Sequence, residues 1–181
     1  SELWRLLAVA LRQHSRHLVA MRWLAHALRL APDNIEALRM QAWMELERGD
    51  STKAALTVRR LLTLRPQDHA ARVQAAFVFA AAGDVALAAN CAEDSIVANP
   101  QDPEAWRALS QVRYLQSRLE DAEHAIDIAL QLRPGQVDSL RQLGWILIAD
   151  QRPAHAQLAF LRVLDQQPQD IVALQEAAES C

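Results

Sequence analysis

The chain has 181 residues, 51% hydrophobic and 23% charged, with a formal net charge of −3 and a pI near 6.1. These values belong to a folded protein rather than a disordered or collagen-like one, and the slight acidity excludes the basic excess of nucleic-acid binders, so no nucleic acid is expected as a partner. Four glycines, none nearer than nine residues to the next, leave no phosphate-binding loop or dinucleotide fingerprint, and so no nucleotide cofactor is expected.

Ala, Leu, Gln, Arg and Glu dominate where a β protein would show β-branched runs and frequent turns, which predicts an all-α chain. The longest charge-free apolar stretch, Val73 to Gly83, is about half the ~20 residues a membrane span needs, so no direct membrane insertion is expected. No signal peptide precedes Ser1, although an upstream segment removed by processing would leave the same start. The compartment, bacterial cytoplasm or periplasm, stays open. Cys91 and Cys181 have no C-x-x-C pairing, which argues against a disulfide framework or a zinc site. Arg outnumbers Lys eighteen to one, and with the high Ala content this resembles the product of a GC-rich bacterial genome.

In chain order the elements repeat. Pro32, Pro66, Pro100, Pro134 and Pro168 are each 34 residues from the next, which divides the chain into repeats 1–34, 35–68, 69–102, 103–136 and 137–170 with a partial repeat over 171–181. Position 20 of every repeat is alanine (Ala20, Ala54, Ala88, Ala122, Ala156), and position 8 is always small (Ala8, Ala42, Ala76, Ser110, Gly144). Position 28 is always a large aliphatic (Leu28, Leu62, Ile96, Leu130, Leu164). Asn34, Asp68, Asp102 and Asp170 are good N-caps for a first helix starting near position 1, and Pro103 suits the N1 position. Gly49-Asp50 and Gly83-Asp84 sit at positions 15 and 16, where a left-handed residue ends the first helix and an acid opens the second. The prolines close the second helix, because the residue before proline avoids the α region. Small residues at 8 and 20 facing each other allow the two helices to approach closely.

With bulky residues such as Trp4 and Trp106 at position 4, this pattern resembles the tetratricopeptide repeat family over residues 1–170. The resemblance implies a right-handed superhelical α-solenoid of antiparallel helix pairs, a single solenoid over 1–181, acting as a protein-interaction scaffold. Repeats two, three and four depart from the pattern at Gln41 and Glu45, Arg72, and Arg113, and lower local stability is expected there.

Positions 4, 7, 8 and 11 form the packing stripe of a first helix, whereas 2, 5, 9 and 12 lie more than ~100° round the cylinder. That second stripe is unusually apolar. Position 9 reads Val9, Trp43, Phe77, Gln111 and Trp145, and position 12 reads Arg12, Leu46, Ala80, Tyr114 and Ile148. In the family these positions line the concave groove, so the resemblance implies a protein or peptide partner over Trp43, Phe77, Tyr114 and Trp145. The other reading packs the position-9 rings sideways on the next first helix.

Position 5 carries Arg5, Arg39, Val73, Arg107 and Arg141, and position 2 follows in step with Glu2, Glu36, Ala70, Glu104 and Asp138. Each arginine therefore has an acid at i−3 for a local pair. Arg39 and Arg141 also precede Trp43 and Trp145 by four residues, a spacing suited to stacking. Val73, Phe77 and Ala80 would form an apolar floor beneath an anchor residue, flanked by Arg39 and Arg107. The partner-binding residues expected from the sequence are Arg39, Trp43, Val73, Phe77, Arg107, Tyr114, Arg141 and Trp145.

Two familiar uses of the family are disfavoured. A lysine–asparagine clamp finds a single Lys53 and only Asn34, Asn90 and Asn99, none of them in a first helix. An asparagine ladder at position 6 meets Leu6, Met40, Gln74, Ala108 and Gln142. His14 and His17 are three apart but lack a further ligand, and the remaining histidines are scattered, so no metal is expected. No nucleophile–base set can be assembled locally, so no catalytic residue is assigned and the chain is not read as an enzyme. Two alternatives remain open: an accessory region recruiting substrate for a longer enzyme or envelope export and assembly protein, and a self-associating scaffold, for which Trp23 lies outside the groove.

Overall fold

The structure, a computed structural model, describes residues 17–179. Glu2, Trp4, Arg5, Ala8, Val9, Arg12, His14 and Cys181, on which part of the sequence reading rests, lie outside the described residues. Ten helices are found among the described residues: α1 (His17–Leu30), α2 (Ile35–Glu47), α3 (Ser51–Leu64), α4 (His69–Ala81), α5 (Val85–Ala98), α6 (Pro103–Leu115), α7 (Leu119–Leu132), α8 (Val137–Ala149), α9 (Pro153–Gln166) and α10 (Ile171–Glu179). Starts of α2, α4, α6, α8 and α10 are spaced by 34 residues, and so are those of α1, α3, α5, α7 and α9. The even helices are the first helices of the repeats, and the odd ones are the second helices.

Local chemistry explains this regularity. Asn34, Asp68 and Asp170 each accept a hydrogen bond on Oδ1 from the amide three residues on, at 3.0 to 3.1 Å, and Asp102 accepts from Glu104 N at 3.0 Å. Each first helix from α2 to α8 then ends in a Schellman turn, with a 6→1 bond from the position-16 amide to the position-11 carbonyl. These bonds are Asp50 to Glu45, Asp84 to Phe79, Arg118 to Arg113 and Arg152 to Leu147, all at 2.8 to 2.9 Å.

Among the described residues the geometry puts position 15 of repeats two to five in the left-handed region: Gly49 at φ +79° and Gly83 at φ +84°, but also Ser117 at φ 58° and Gln151 at φ 59°. Two turns therefore hold without the glycine that marks the others in the sequence. The acid at position 16 is not the cap expected of it. Asp50 makes no side-chain cap bond and lies 3.3 Å from Lys53 Nζ, while Asp84 accepts from Arg59 Nη2 at 2.8 Å.

The chain divides within α5 into two compact units, residues 1–87 and 88–181. In unit 1, Ala20, Leu24, Ala37 and Met44 form one core cluster, and Leu38, Leu61 and Ala71 form another. Leu28, at position 28, packs against both and so joins one helix pair to the next. The departures in repeat two are absorbed by a polar trio around the buried Glu45: Thr57 Oγ1 donates to Glu45 Oε2 at 2.8 Å and the half-buried Gln41 donates from Nε2 to Glu45 Oε1 at 2.6 Å. Arg72 at position 4 donates to the Pro66 carbonyl at 2.7 and 3.0 Å.

In unit 2, Trp106 occupies that same position 4 and donates from Nε1 to the equivalent Pro100 carbonyl at 2.8 Å. An arginine and a tryptophan thus serve one bond. The position-8 and position-20 side chains meet as expected, since Ser110 Oγ donates to the Ala122 carbonyl at 2.8 Å. Gly144 is small for a specific reason: a Cβ there would lie 2.4 Å from Phe160 Cζ, and Phe160 is fully buried among Leu140, Leu147, Ala156 and Val163. Arg113 at position 11 reaches out to Glu93 Oε1 at 2.6 Å.

Candidate functional site: the first-helix faces

In each unit taken by itself, positions 2, 5, 9 and 12 fall on one side of every first helix, and the two units are described separately. In unit 1, the Trp43 and Phe77 rings lie 6.2 Å apart at an interplanar angle of 38°, each half-buried. The sideways packing of position-9 rings between neighbouring first helices is therefore present here, with part of both rings still exposed. The apolar floor is narrower than the sequence suggests. Val73 and Ala80 each retain only 7% exposure, so Val73 supports the face from beneath rather than lining it.

Arg39 pairs with Glu36 at 3.6 Å instead of stacking on Trp43. A guanidinium that does lie over a ring is that of Arg59, 5.1 Å from the Phe79 centroid. One contact escaped the sequence reading: Gln74 at position 6 donates from Nε2 to the Arg39 carbonyl at 2.7 Å, tying α4 to α2.

In unit 2 the arginines are more firmly held. Arg107 donates to Glu104 Oε2 from Nε at 3.0 Å and from Nη2 at 2.9 Å. The other oxygen of Glu104 accepts from Gln136 Nε2 and lies 3.5 Å from Arg133. Arg141 bridges two carboxylates, Asp138 at 3.1 Å and Asp170 at 2.5 Å, again in place of a stack on its tryptophan. The Ala173 amide and then the Arg141 guanidinium hold the Asp170 carboxyl below the usual carboxylate range. Asp170 thus caps α10 and orients the arginine of α8 with its two oxygens.

Gln142 repeats the role of Gln74, donating to the Arg107 carbonyl at 3.1 Å and tying α8 to α6. The signal was legible as glutamine at the same repeat position, but only the packing of successive first helices gives it an acceptor.

Above these pairs the apolar residues diverge. Tyr114 is half-buried against a cluster containing Ile126 and Ile146, whereas Trp145 is 40% exposed and Ile148 lies beside it, also exposed. Unit 2 therefore offers an arginine whose direction is fixed by two acids, next to an exposed indole on the same helix. Its guanidinium is oriented by two carboxylates and its indole is accessible.

The tetratricopeptide repeat model matches residues 22–69, 74–137 and 116–171, most of the chain. No curated protein matches the sequence. Among solved structures, a thermophilic tetratricopeptide protein of Thermus thermophilus, TTC0263, is 20% identical, with 99% of this chain and 97% of that one covered at a TM-score of 0.88. MamA of Desulfovibrio magneticus RS-1 is 22% identical, covering 93% and 96% at a TM-score of 0.68. YrrB, described as having an unusual peptide-binding site, is 16% identical, covering 95% and 89% at a TM-score of 0.60. With helices on an unbroken 34-residue frame and most of its length matched, the chain belongs to the tetratricopeptide repeat family.

Proposed function

We propose that this protein is an interaction scaffold whose first-helix faces bind extended or helical segments of other proteins. The observation that carries this reading is Trp145, 40% exposed beside Ile148 and Arg141 on α8. An exposed indole surrounded by oriented charge is the usual make-up of a binding hot spot. The Arg141–Asp138–Asp170 arrangement supports it by holding the guanidinium in one direction, which lowers the ordering cost of receiving a carboxylate or backbone carbonyl. In unit 1 the contact residues are Trp43 and Phe77, with Arg39 at their side and Val73 beneath. In unit 2 they are Arg107, Tyr114, Arg141 and Trp145. The described peptide-binding site of YrrB, which shares the fold, adds support for a peptide ligand.

The test is selection of binders from a displayed random-peptide library, followed by affinity measurement against variants. Trp145→Ala is expected to weaken peptides that engage unit 2 by ten-fold or more, and Phe77→Ala combined with Arg107→Ala to weaken those that engage either face. Peptides that bind all of these variants as tightly as the wild type would remove both faces from the proposal.

A further inference from the structure

The charge around Trp145 indicates which segments the unit 2 face selects. Helices α8 and α10, with the cap Asp170, carry a single basic side chain, Arg141, against four carboxylates: Asp138, Asp170, Glu176 and Glu179. The imbalance runs through the unit, since residues 88–181 contain seven Lys and Arg against fourteen Asp and Glu, a net of −7. Residues 1–87 contain twelve against eight, a net of +4.

Arg141 does not offset this. Its Nη1 donates to Asp138, its Nη2 to Asp170, and its Nε is buried without a hydrogen-bond partner. One guanidinium with two carboxylates leaves a charge of −1 on the group. A ligand carboxylate arriving here would be the third anion on one cation, repelled by the two already in place. A neutral carbonyl meets no such repulsion, and the remaining Nη N–H groups can serve it.

The indole lies among acids as well. Asp138 keeps its side chain 60% exposed while paired with Arg141, and it sits two turns before Trp145 on the same side of α8. Glu179, also exposed, takes position 9 of the α10 frame. Side chains at position 9 of successive first helices are neighbours, as Trp43 and Phe77 are at 6.2 Å. Trp145 therefore has one carboxylate on its own helix and another in the next position-9 slot.

Resting on the scaffold reading above, we propose that the unit 2 face takes a basic peptide segment. A Lys or Arg side chain of the ligand lies over the Trp145 indole toward Asp138 and Glu179, and a neutral main-chain carbonyl accepts from Arg141. The ring face and the carboxylates attract the same cation, and the negative potential of the unit steers a basic segment toward it while turning acidic ones away.

The probes are peptides from the displayed random library whose affinity falls ten-fold or more on Trp145→Ala. They are expected to be enriched in Lys and Arg and depleted in Asp and Glu relative to the unselected library. Replacing the Lys or Arg of one such peptide by Gln should weaken it ten-fold or more. Raising NaCl should narrow that difference, because exposed charges are screened beyond about 8 Å at physiological ionic strength. In the protein, Asp138→Lys with Glu179→Lys should reverse the preference, so that a Glu-substituted peptide binds better than the basic original. If the double change alters the circular dichroism, Glu179→Gln alone serves, with a three-fold or greater loss for the basic peptide and none for its Gln counterpart. Peptides that depend on Trp145 but show no excess of Lys and Arg, or are indifferent to these charge changes, would overturn the proposal and leave the scaffold reading standing. Finding no peptide that depends on Trp145 would overturn both for this face.

Discussion

Repeat two in unit 1 and repeat five in unit 2 fill packing slots between their paired helices with opposite chemistry, at positions 7, 11 and 23 in the first and at positions 8 and 24 in the second. Between α2 and α3 the slots hold a carboxylate, an amide and a hydroxyl that satisfy one another: Glu45, Gln41 and Thr57. Between α8 and α9 they hold Phe160 against a glycine. What the repeat specifies, then, is a distance between helix axes and a small residue at positions 8 and 20, and either a closed polar set or a size-matched apolar pair fills the space that remains. The turns show a similar contrast. Unit 1 makes its left-handed position with Gly49 and Gly83, and unit 2 makes it with Ser117 and Gln151.

The largest effect is expected where size matching is tightest. Phe160→Ala should cost about 3–5 kcal/mol in chemical denaturation, because the cavity forms beside a residue that has no side chain to relax into it. Gly144→Ala should cost roughly 1–3 kcal/mol through overpacking, and a second change, Phe160→Leu, should recover part of that loss. If Gly144→Ala proved neutral alone, the matched pair would not be what sets the α8–α9 distance.

The polar counterpart gives the next effect. Thr57→Val removes one donor from a buried carboxylate and is expected to cost about 1–3 kcal/mol. Replacing the whole trio, with Gln41→Leu, Glu45→Leu and Thr57→Val, should return stability close to that of the wild type, since no unsatisfied group then remains. A triple variant as unstable as Thr57→Val would show that the polar set is needed for more than filling the slot.

Smaller still is the turn comparison. Gly49→Ala should lower stability by about 1 kcal/mol, because an L side chain is strained at positive φ, whereas Gln151→Gly should raise it by up to about 1 kcal/mol. Equal and opposite signs would establish that unit 2 tolerates strain that unit 1 avoids.

The smallest effect is expected in acid. The folded Asp170 carboxyl titrates below its unfolded value of about 3.9, so its contribution is fully present above that pH and is lost as pH falls through the lower folded pKa. The difference in melting temperature between wild type and Asp170→Asn should be constant above about pH 5 and shrink below about pH 4. A difference that grew on acidification would contradict the assignment.

The periodic features were readable from the chain because each depends on neighbours a few residues away. Prolines at 34-residue intervals, aspartate and asparagine caps and the alanine at position 20 act through local backbone geometry, and the helices follow that frame without a slip. Other features required partners far apart in sequence. The glutamines at position 6 find their acceptors 35 residues back, and Arg141 finds Asp170 29 residues ahead. Local i,i+4 spacing suggested stacking of Arg39 on Trp43, yet its guanidinium forms an ion pair with the Glu36 carboxylate one turn away. Val73 read as a floor lining the groove because its stripe is apolar, and it proved buried.

The sequence by itself therefore determined the helices, their breaks and the residues that must be small, since these follow from backbone sterics and side-chain volume. Only the tertiary structure decided which of the arginines and aromatic rings are presented and in what direction. Presentation depends on the packing of one helix pair against the next, and that packing brings together residues that no local pattern connects.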